Sequence, residues 1–152
     1  MTRQPRNFLA RLAGPQPATS KPRTVARVVL GAMLAFAGVS HLTVSRQEFQ
    51  AQVPEFVPLD PDFVVLASGA VEITLGAALI LLAKRRVPVG WVVALFFVAV
   101  FPGNLSQWLN ARDGFGLDTD AKRFARLFFQ PALVAAALWS TAAWRDRPRK
   151  LP

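Results

Sequence analysis

The sequence predicts an all-α integral membrane protein, a four-helix bundle with both termini in the cytoplasm. Its 152 residues contain four apolar segments, each of about twenty residues, the length that crosses a hydrocarbon core of roughly 30 Å. Apolar residues make up 53% of the chain, although its formal charge is +9. Because the basic residues fall between the apolar segments and at the two ends, we expect the lipid bilayer, and no nucleic acid, as the partner.

The four segments lie between two basic tails. Residues 1–23 mix Arg with Pro and Gly, and their short apolar run is too brief for a signal-peptide core, so a disordered cytoplasmic tail is predicted. Residues 145–152 form a second basic cytoplasmic tail. A soluble bundle is the alternative, but four segments this apolar leave little amphipathic surface for water. The transmembrane domain covers residues 24–144, with helices at about 25–43, 63–83, 87–108 and 124–144.

The positions of Lys and Arg predict the orientation of the bundle. Residues 1–27, the turn at 84–88 and the tail at 145–152 together hold 13 of the 18 basic residues, and all three regions share one side. Since basic residues concentrate in cytoplasmic segments, this side is expected to be cytoplasmic.

Two long connections are expected on the opposite side. Residues 43–62 contain several prolines and acids, and residues 109–123 are rich in Gly and Asp. Loops of this kind are where a lid or a partner surface is found. A simple solvated connection is the other interpretation, and both remain open.

A carboxylate lies inside the second apolar segment. Glu72 is about 13 Å from the outer boundary at 1.5 Å per residue, close to the middle of the bilayer. A charge there costs about 2.5–3.5 kcal/mol, so Glu72 is expected to face the interior of the bundle. Ser68 and Gly76 share its helix face at i−4 and i+4. Asn104 and Gln130 lie at compatible depths on other helices.

These polar residues predict one site in the outer half of the membrane. Interfacial packing is the simpler role for His41 taken alone. Both Glu72 and Arg126 lean outward, so a direct ion pair between them requires helix tilt. Two interpretations are open, a ligand or proton site, and a buried carboxyl that only ties helices together through hydrogen bonds. The candidate site residues are Glu72, Ser68, Asn104, Gln130, Arg126 and His41.

Small residues and prolines complete the pattern. Gly31, Gly69 and Gly76 are expected to allow close contact between helices. Pro102 and Pro131 each lack an N–H and displace the carbonyl four residues earlier. Both prolines adjoin polar residues, so kinks that open a cavity are predicted beside them.

The composition excludes several kinds of chemistry. The chain has no cysteine, which rules out thiolate nucleophiles, iron–sulfur ligation and Cys-based zinc sites. It has one histidine, so a multi-histidine metal or haem site within one chain is excluded as well. No metal is expected, and no residue is assigned a catalytic role.

Five short motifs resemble the DoxX family of small four-helix bacterial membrane proteins. They are "GVSHL" (38–42), "VPEFVP" (53–58), "SGAVEITLGAALIL" (68–81), "FPGN" (101–104) and "RLFFQPALV" (126–134). The resemblance covers roughly residues 25–144. Its pattern corresponds to His41, Ser68, Gly69, Glu72, Gly76, Pro102, Asn104, Arg126 and Gln130.

The resemblance implies a location and a function. It implies a multi-pass protein of the bacterial cytoplasmic (inner) membrane with a redox-associated role, because the family includes relatives of the small subunit of thiosulfate–quinone oxidoreductase. A quinone would then bind near Glu72, and a soluble or membrane redox protein would be the partner. Apart from the resemblance, a homo-oligomer is a further expected partner. The chain has no redox-active side chain, so electron transfer would need a cofactor. The alternative is a non-enzymatic scaffold or lipid-handling protein that assists assembly of a partner complex.

Overall fold

The computed structural model describes residue 16 and residues 19–144, so the predicted tail at 145–152 and most of the tail at 1–23 lie outside the described residues. The described part is helical with connecting turns and contains no strand, which confirms the all-α prediction. Its helices are α1 (Lys21–Leu42), α2 (Arg46–Gln50), α3 (Pro61–Leu81), α4 (Arg86–Leu109), α5 (Asp120–Leu127) and α6 (Phe129–Ser140), and a 3₁₀ turn at Ala83–Arg85 precedes α4.

Three segments are long and apolar enough to cross a membrane. They are α1 with 22 residues, α3 with 21, and Ala83–Leu109 with 27. Large apolar side chains on their outer faces are exposed, for example Phe36 at 74% and Leu95 at 64%. An apolar outer surface of this extent suits lipid better than water, so these helices indicate a membrane protein.

The first helix begins earlier than predicted. The tail was expected to continue through residue 23, but α1 starts at Lys21. Ser20 is extended and Pro22 lies in the first turn. Proline suits that position because the first N–H groups of a helix have no intrahelical partner, so its missing donor costs nothing there.

The predicted fourth helix, 124–144, is not continuous. It begins earlier, at Asp120, where the Thr119 side chain accepts a hydrogen bond from the Lys122 N–H. It is then interrupted by a turn at Phe128, which separates α5 from α6. Pro131 explains the break, because its ring displaces the carbonyl of Leu127 and it cannot donate to that carbonyl. The 12 residues of α6 extend only about 18 Å, too short to cross a membrane alone.

The other internal proline has a milder effect. The helix α4 runs without interruption from Arg86 to Leu109, with Pro102 inside it. Pro102 therefore does not end the helix, although it cannot donate to the carbonyl of Val98. Its exposed ring lies instead at the edge of a cavity.

Glycines bring α1 and α3 into close contact, as predicted for Gly31, Gly69 and Gly76. A Cβ atom built on Gly31 would lie 2.8 Å from the Gly76 carbonyl oxygen, and one on Gly76 would lie 2.5 Å from that of Gly31. Gly38 and Gly69 form the same reciprocal contact at 2.5 and 2.9 Å. The two contacts are two helical turns apart on each helix, so the pair is antiparallel and in contact over much of its length.

The remaining helices form a second pair. A Cβ atom on Gly90 of α4 would overlap the side chain of Thr141, which follows α6 and is fully buried. The helix α6 also packs against α1 and so joins the two pairs, whereas α3 touches α4 only slightly. Leu30, Leu79 and Phe97 belong to the apolar core that the two pairs share.

One basic residue of the first membrane-spanning helix is buried. Arg27 is 5% exposed, and its Nη1 atom donates to the carbonyls of Leu79 and Ile80 near the end of α3. Those carbonyls lie near the negative end of the helix dipole, where a guanidinium is favourable.

A candidate ligand-binding pocket

The space between the two helix pairs forms a pocket of about 650 Å³. Its wall is mainly apolar, and its size is that of ordinary ligand pockets. It extends from Leu30 and Leu133 at one end to the loops at the other. All six candidate site residues line it, namely His41, Ser68, Glu72, Asn104, Arg126 and Gln130. The tertiary structure therefore brings together residues from five helices, up to 89 positions apart in sequence.

Glu72 lies beside His41 on one wall of this pocket. The His41 Nδ1 atom is 3.4 Å from Glu72 Oε2 and 3.2 Å from Ser68 Oγ. The Ser68 hydroxyl donates to the Val65 carbonyl at 3.0 Å, so its oxygen can accept from Nδ1–H. His41 and Glu72 are both buried, and the atoms His41 Nε2 and Glu72 Oε2 have no hydrogen-bond partner in the described chain.

The glycine contacts hold this pair in position. Gly38 and Gly69 abut at the level of the pair, and a Cβ atom on Gly69 would lie 2.7 Å from His41 Cβ. The close approach of α1 and α3 therefore sets how near His41 comes to Glu72. The Phe49 ring makes an edge-on contact with His41 from the other side.

Arg126 lies on another wall of the pocket. Its Nε atom donates to Asn104 Oδ1 at 3.4 Å, and its guanidinium carbon lies 5.4 Å from the centre of the Phe115 ring. The ionisable side chain in contact with Glu72 in the described chain is His41, and no Glu72–Arg126 pair forms there.

Gln130 contacts the neighbouring helix α4. Its Nε2 atom donates to the Phe97 carbonyl at 2.8 Å, and the side chain is buried at 7% exposure. This bond ties the first turn of α6 to α4, one residue before Pro131. The break between α5 and α6 thus directs Gln130 toward α4.

A cap, which we define as residues 43–60 and 110–119, covers one end of the pocket. It includes the short helix α2, which was not predicted within the first long connection. The cap contributes mostly apolar side chains to the pocket. These lining residues are Ser45, Phe49, Gln52, Val53, Pro54, Phe56, Val57 and Phe115.

Hydrogen bonds join the two halves of the cap. Arg112 donates from Nη1 to the Val53 carbonyl at 2.9 Å and from Nη2 to Glu55 Oε1 at 2.5 Å. The Phe115 N–H donates to Glu48 Oε2 at 2.9 Å. The two connections therefore act as one covering layer, which favours the lid over the simple solvated connection.

An ion pair joins the cap to α3. Arg46 of α2 donates to both carboxylate oxygens of Asp62, and Gln50 adds a bond to Asp62 Oδ1 at 3.0 Å. The hydrogen bond to Asp62 raises the pKa of the Arg46 guanidinium above its ordinary value. A two-pronged Arg–carboxylate contact fixes orientation as well as distance, so it holds α2 over the end of α3.

Phe115 is a pocket residue that the sequence analysis missed. It has a left-handed backbone with φ of 55°, which costs a non-glycine residue roughly 1–3 kcal/mol. Its ring packs 4.5 Å from that of Phe49 and lies beneath Arg126. The signal in the sequence was an aromatic residue between two glycines, "GFG" (114–116), within a stretch interpreted only as turn-forming.

Two buried polar residues near the cap also went unassigned. Gln107 is 1% exposed and accepts a hydrogen bond from Gln52 Nε2 at 3.3 Å. Arg123 is 6% exposed and donates to the Ala111 carbonyl at 3.3 Å. Both support the cap rather than the pocket wall. Within the described residues, no three acidic or histidine side chains are grouped as metal ligands would be.

A family model covers this pocket. The model of DUF8561, a domain of unknown function, matches residues 30–141, nearly three quarters of the chain. The matched range contains every residue that lines the pocket. No curated protein and no solved structure matches the chain.

The predicted membership of the DoxX family is therefore wrong. Apart from the loop motif at 53–58, its motifs consisted of small residues, internal prolines and isolated polar residues in helices. Close helix packing and a buried polar pocket require such residues in any membrane bundle, whatever its ancestry. These motifs therefore reflect the packing requirements of membrane helices and do not indicate common ancestry with the DoxX family.

Proposed function

We propose a function from the pocket, because the chain belongs to the DUF8561 family and that family is a domain of unknown function. The protein is a multi-pass membrane protein that binds a small lipid-soluble molecule. The polar end of that molecule lies among the polar residues of the pocket, which include Glu72 and His41, and its apolar part fills the space between the helix pairs. The role is binding, and no residue is assigned a catalytic step.

The observation that carries this proposal is that two buried atoms, His41 Nε2 and Glu72 Oε2, have no hydrogen-bond partner among the described residues. A buried polar atom without a partner costs about 1–3 kcal/mol. If the pair only tied α1 to α3, these atoms would be expected to bond to protein groups. Both residues line a pocket, where the polar group of a bound molecule would satisfy them.

The entry route is from the side, through the lipid. The helices α1 and α4 have little or no direct contact, and the pocket opens between them. Exposed apolar residues form the rim of this opening, with Met33 and Phe36 on α1 and Ala99 and Pro102 on α4. An apolar rim of this kind admits a lipid-soluble molecule more readily than a hydrated one.

The proposed topology has four membrane crossings. The broken segment of α5 and α6 serves as the fourth crossing, so the protein is a four-helix bundle of the cytoplasmic (inner) membrane. Both termini are cytoplasmic, as the placement of 13 of the 18 basic residues favours. The cap then lies on the opposite side.

The test is to identify molecules that co-purify with the full-length protein. Wild type, Glu72→Gln and Thr74→Val are extracted in mild detergent, and their organic extracts are compared by mass spectrometry. Thr74 is the matched control, since it lies on the same helix but faces outward. We expect a molecule that is retained by wild type and Thr74→Val and about tenfold depleted in Glu72→Gln. Equal extracts from all three and from an unrelated membrane protein would overturn the proposal.

The other functions remain untested hypotheses. The redox-associated, quinone-linked role rested on the DoxX resemblance, so the family assignment gives it no support. For the scaffold, the hydrogen bonds of Arg112 and Glu48 join the two halves of the cap to each other, which favours a lid over a partner surface.

A further inference from the structure

Arg126 brings a positive charge into the pocket without an acidic partner. Its contacts in the described chain are one long hydrogen bond to the neutral amide of Asn104 and the face of Phe115. The Nη1 and Nη2 atoms make no hydrogen bond in that part of the chain. A guanidinium stays charged in proteins and presents five N–H donors, so most of its hydrogen-bonding capacity is unused.

Asn104 adds a further donor at the same place. Its Oδ1 atom accepts the bond from Arg126, which leaves Nδ2 without a partner in the described residues. The side chain is buried at 7% exposure and lines the pocket. Arg126 and Asn104 together form a cluster of donors with no matching acceptor.

The other ionisable residues of the pocket do not cancel this charge. Among the lining residues these are His41 and Glu72, which lie 3.4 Å apart. In the described chain neither residue pairs with Arg126, whose contacts are Asn104 and Phe115. The pocket therefore has a net positive charge at Arg126, and that end is complementary to an anion.

We infer that the bound molecule is a long-chain carboxylic acid whose carboxylate binds Arg126 and Asn104. This inference rests on the proposed ligand-binding function and specifies the class of ligand. The planar guanidinium matches the two oxygens of a carboxylate, and such charge-assisted bonds are about twice as strong as neutral ones. The apolar chain extends along Leu34, Phe97 and Leu133 toward the far end of the pocket.

The same geometry favours a carboxylate over a phosphate. The pocket has one cation, and Glu72 lies in the same cavity. A phosphate monoester carries a charge of about −1.5 to −2 at pH 7, which one arginine does not neutralise. A single negative charge matches the single guanidinium.

The test compares three probes that have the same type of long alkyl chain and differ in their polar group. They are hexadecanoic acid, its methyl ester and hexadecyl phosphate. Binding to the full-length protein in detergent is titrated by native mass spectrometry. We expect the acid to bind at least about tenfold more tightly than either other probe. Arg126→Gln should weaken binding of the acid about tenfold and leave binding of the ester unchanged. Arg126→Lys should restore part of the loss, because lysine keeps the positive charge but lacks the planar pair of N–H donors that a guanidinium presents to a carboxylate.

Controls separate this inference from the proposed function. Arg85→Gln removes an equal charge from an exposed position outside the pocket and should change nothing. Circular dichroism and melting confirm that each variant folds. Equal binding of acid and ester, with no effect of Arg126→Gln, would overturn the acid while leaving a ligand pocket. Tighter binding of the phosphate would overturn the choice of a carboxylate. If no probe binds and nothing co-purifies with wild type, both proposals fail.

Discussion

His41 Nδ1 lies 3.4 Å from Glu72 Oε2, across the contact where Gly38 and Gly69 bring α1 and α3 together. The two side chains are buried within the bundle and line its pocket. This relationship connects the packing of the helices to the chemistry of the candidate site. A change to either glycine or to either side chain should therefore affect both stability and binding.

The His41–Glu72 pair should be energetically coupled. His41→Gln and Glu72→Gln should each destabilise the bundle by about 1–3 kcal/mol, because each leaves a buried partner without its contact. The double variant should lose less than the sum, with a coupling energy of about 0.5–2 kcal/mol. Reversible unfolding in mixed micelles measures the four free energies of unfolding. Additive losses would show that the two side chains do not interact.

Gly38→Ala should weaken the contact of α1 with α3. The new Cβ would lie 2.5 Å from the Gly69 carbonyl oxygen and 2.9 Å from the Ile73 nitrogen, so backbone must move. We expect the free energy of unfolding to fall by about 1–3 kcal/mol, as in overpacked cores. Ala32→Val on the exposed face of α1 is the matched control and should have little effect. Unchanged stability of Gly38→Ala in the same unfolding assay would contradict the observed packing.

A disulfide between the halves of the cap should slow ligand exchange. A Cβ atom built on Gly114 would lie 3.5 Å from Ala51 Cβ, within the range that a disulfide spans. Since the chain has no cysteine, Ala51→Cys with Gly114→Cys introduces a single pair. Gel mobility before and after reduction should reveal the cross-link. Dissociation of a bound probe, followed with and without reductant, should be faster in the reduced protein if the cap is a lid. Equal rates would mean that exchange occurs only through the opening between α1 and α4.

The proposed topology can be tested with single cysteines. Gln47→Cys lies in the cap and Lys84→Cys in the turn before α4, and both positions are exposed. We expect a membrane-impermeant maleimide to label Gln47→Cys in intact cells and Lys84→Cys only after the membrane is opened. The reverse pattern would place the cap in the cytoplasm. Labelling of both from outside would contradict the single crossing, by α3, that separates the two positions.

The sequence predicted the ionisable residues that line the candidate pocket, and several of its other polar ones, because each is unusual where it occurs. A carboxylate at mid-segment is costly in lipid, so Glu72 stands out without any structure. His41, Asn104 and Gln130 likewise interrupt apolar runs. Phe115 did not stand out, because an aromatic residue in a loop is common, and only its left-handed backbone and its ring contacts reveal its place in the pocket.

The family assignment shows where sequence patterns mislead. The polar, small and proline residues were interpreted as marks of DoxX, whereas the matching model is that of DUF8561. Short motifs in apolar helices have few residue types available, so unrelated bundles come to resemble each other. A longer match such as residues 30–141 carries information that five separate motifs do not.

By itself, the sequence determined the helical fold class, the long apolar helices and the polar residues within them, because these follow from hydrophobicity along the chain and from the cost of polar groups in lipid. The tertiary structure alone decided which polar residues pair. It places Glu72 beside His41 and Arg126 beside Asn104, and it breaks the last segment at Phe128. Pairing depends on the rotation and approach of whole helices, which glycine contacts between distant segments set and which no local pattern records.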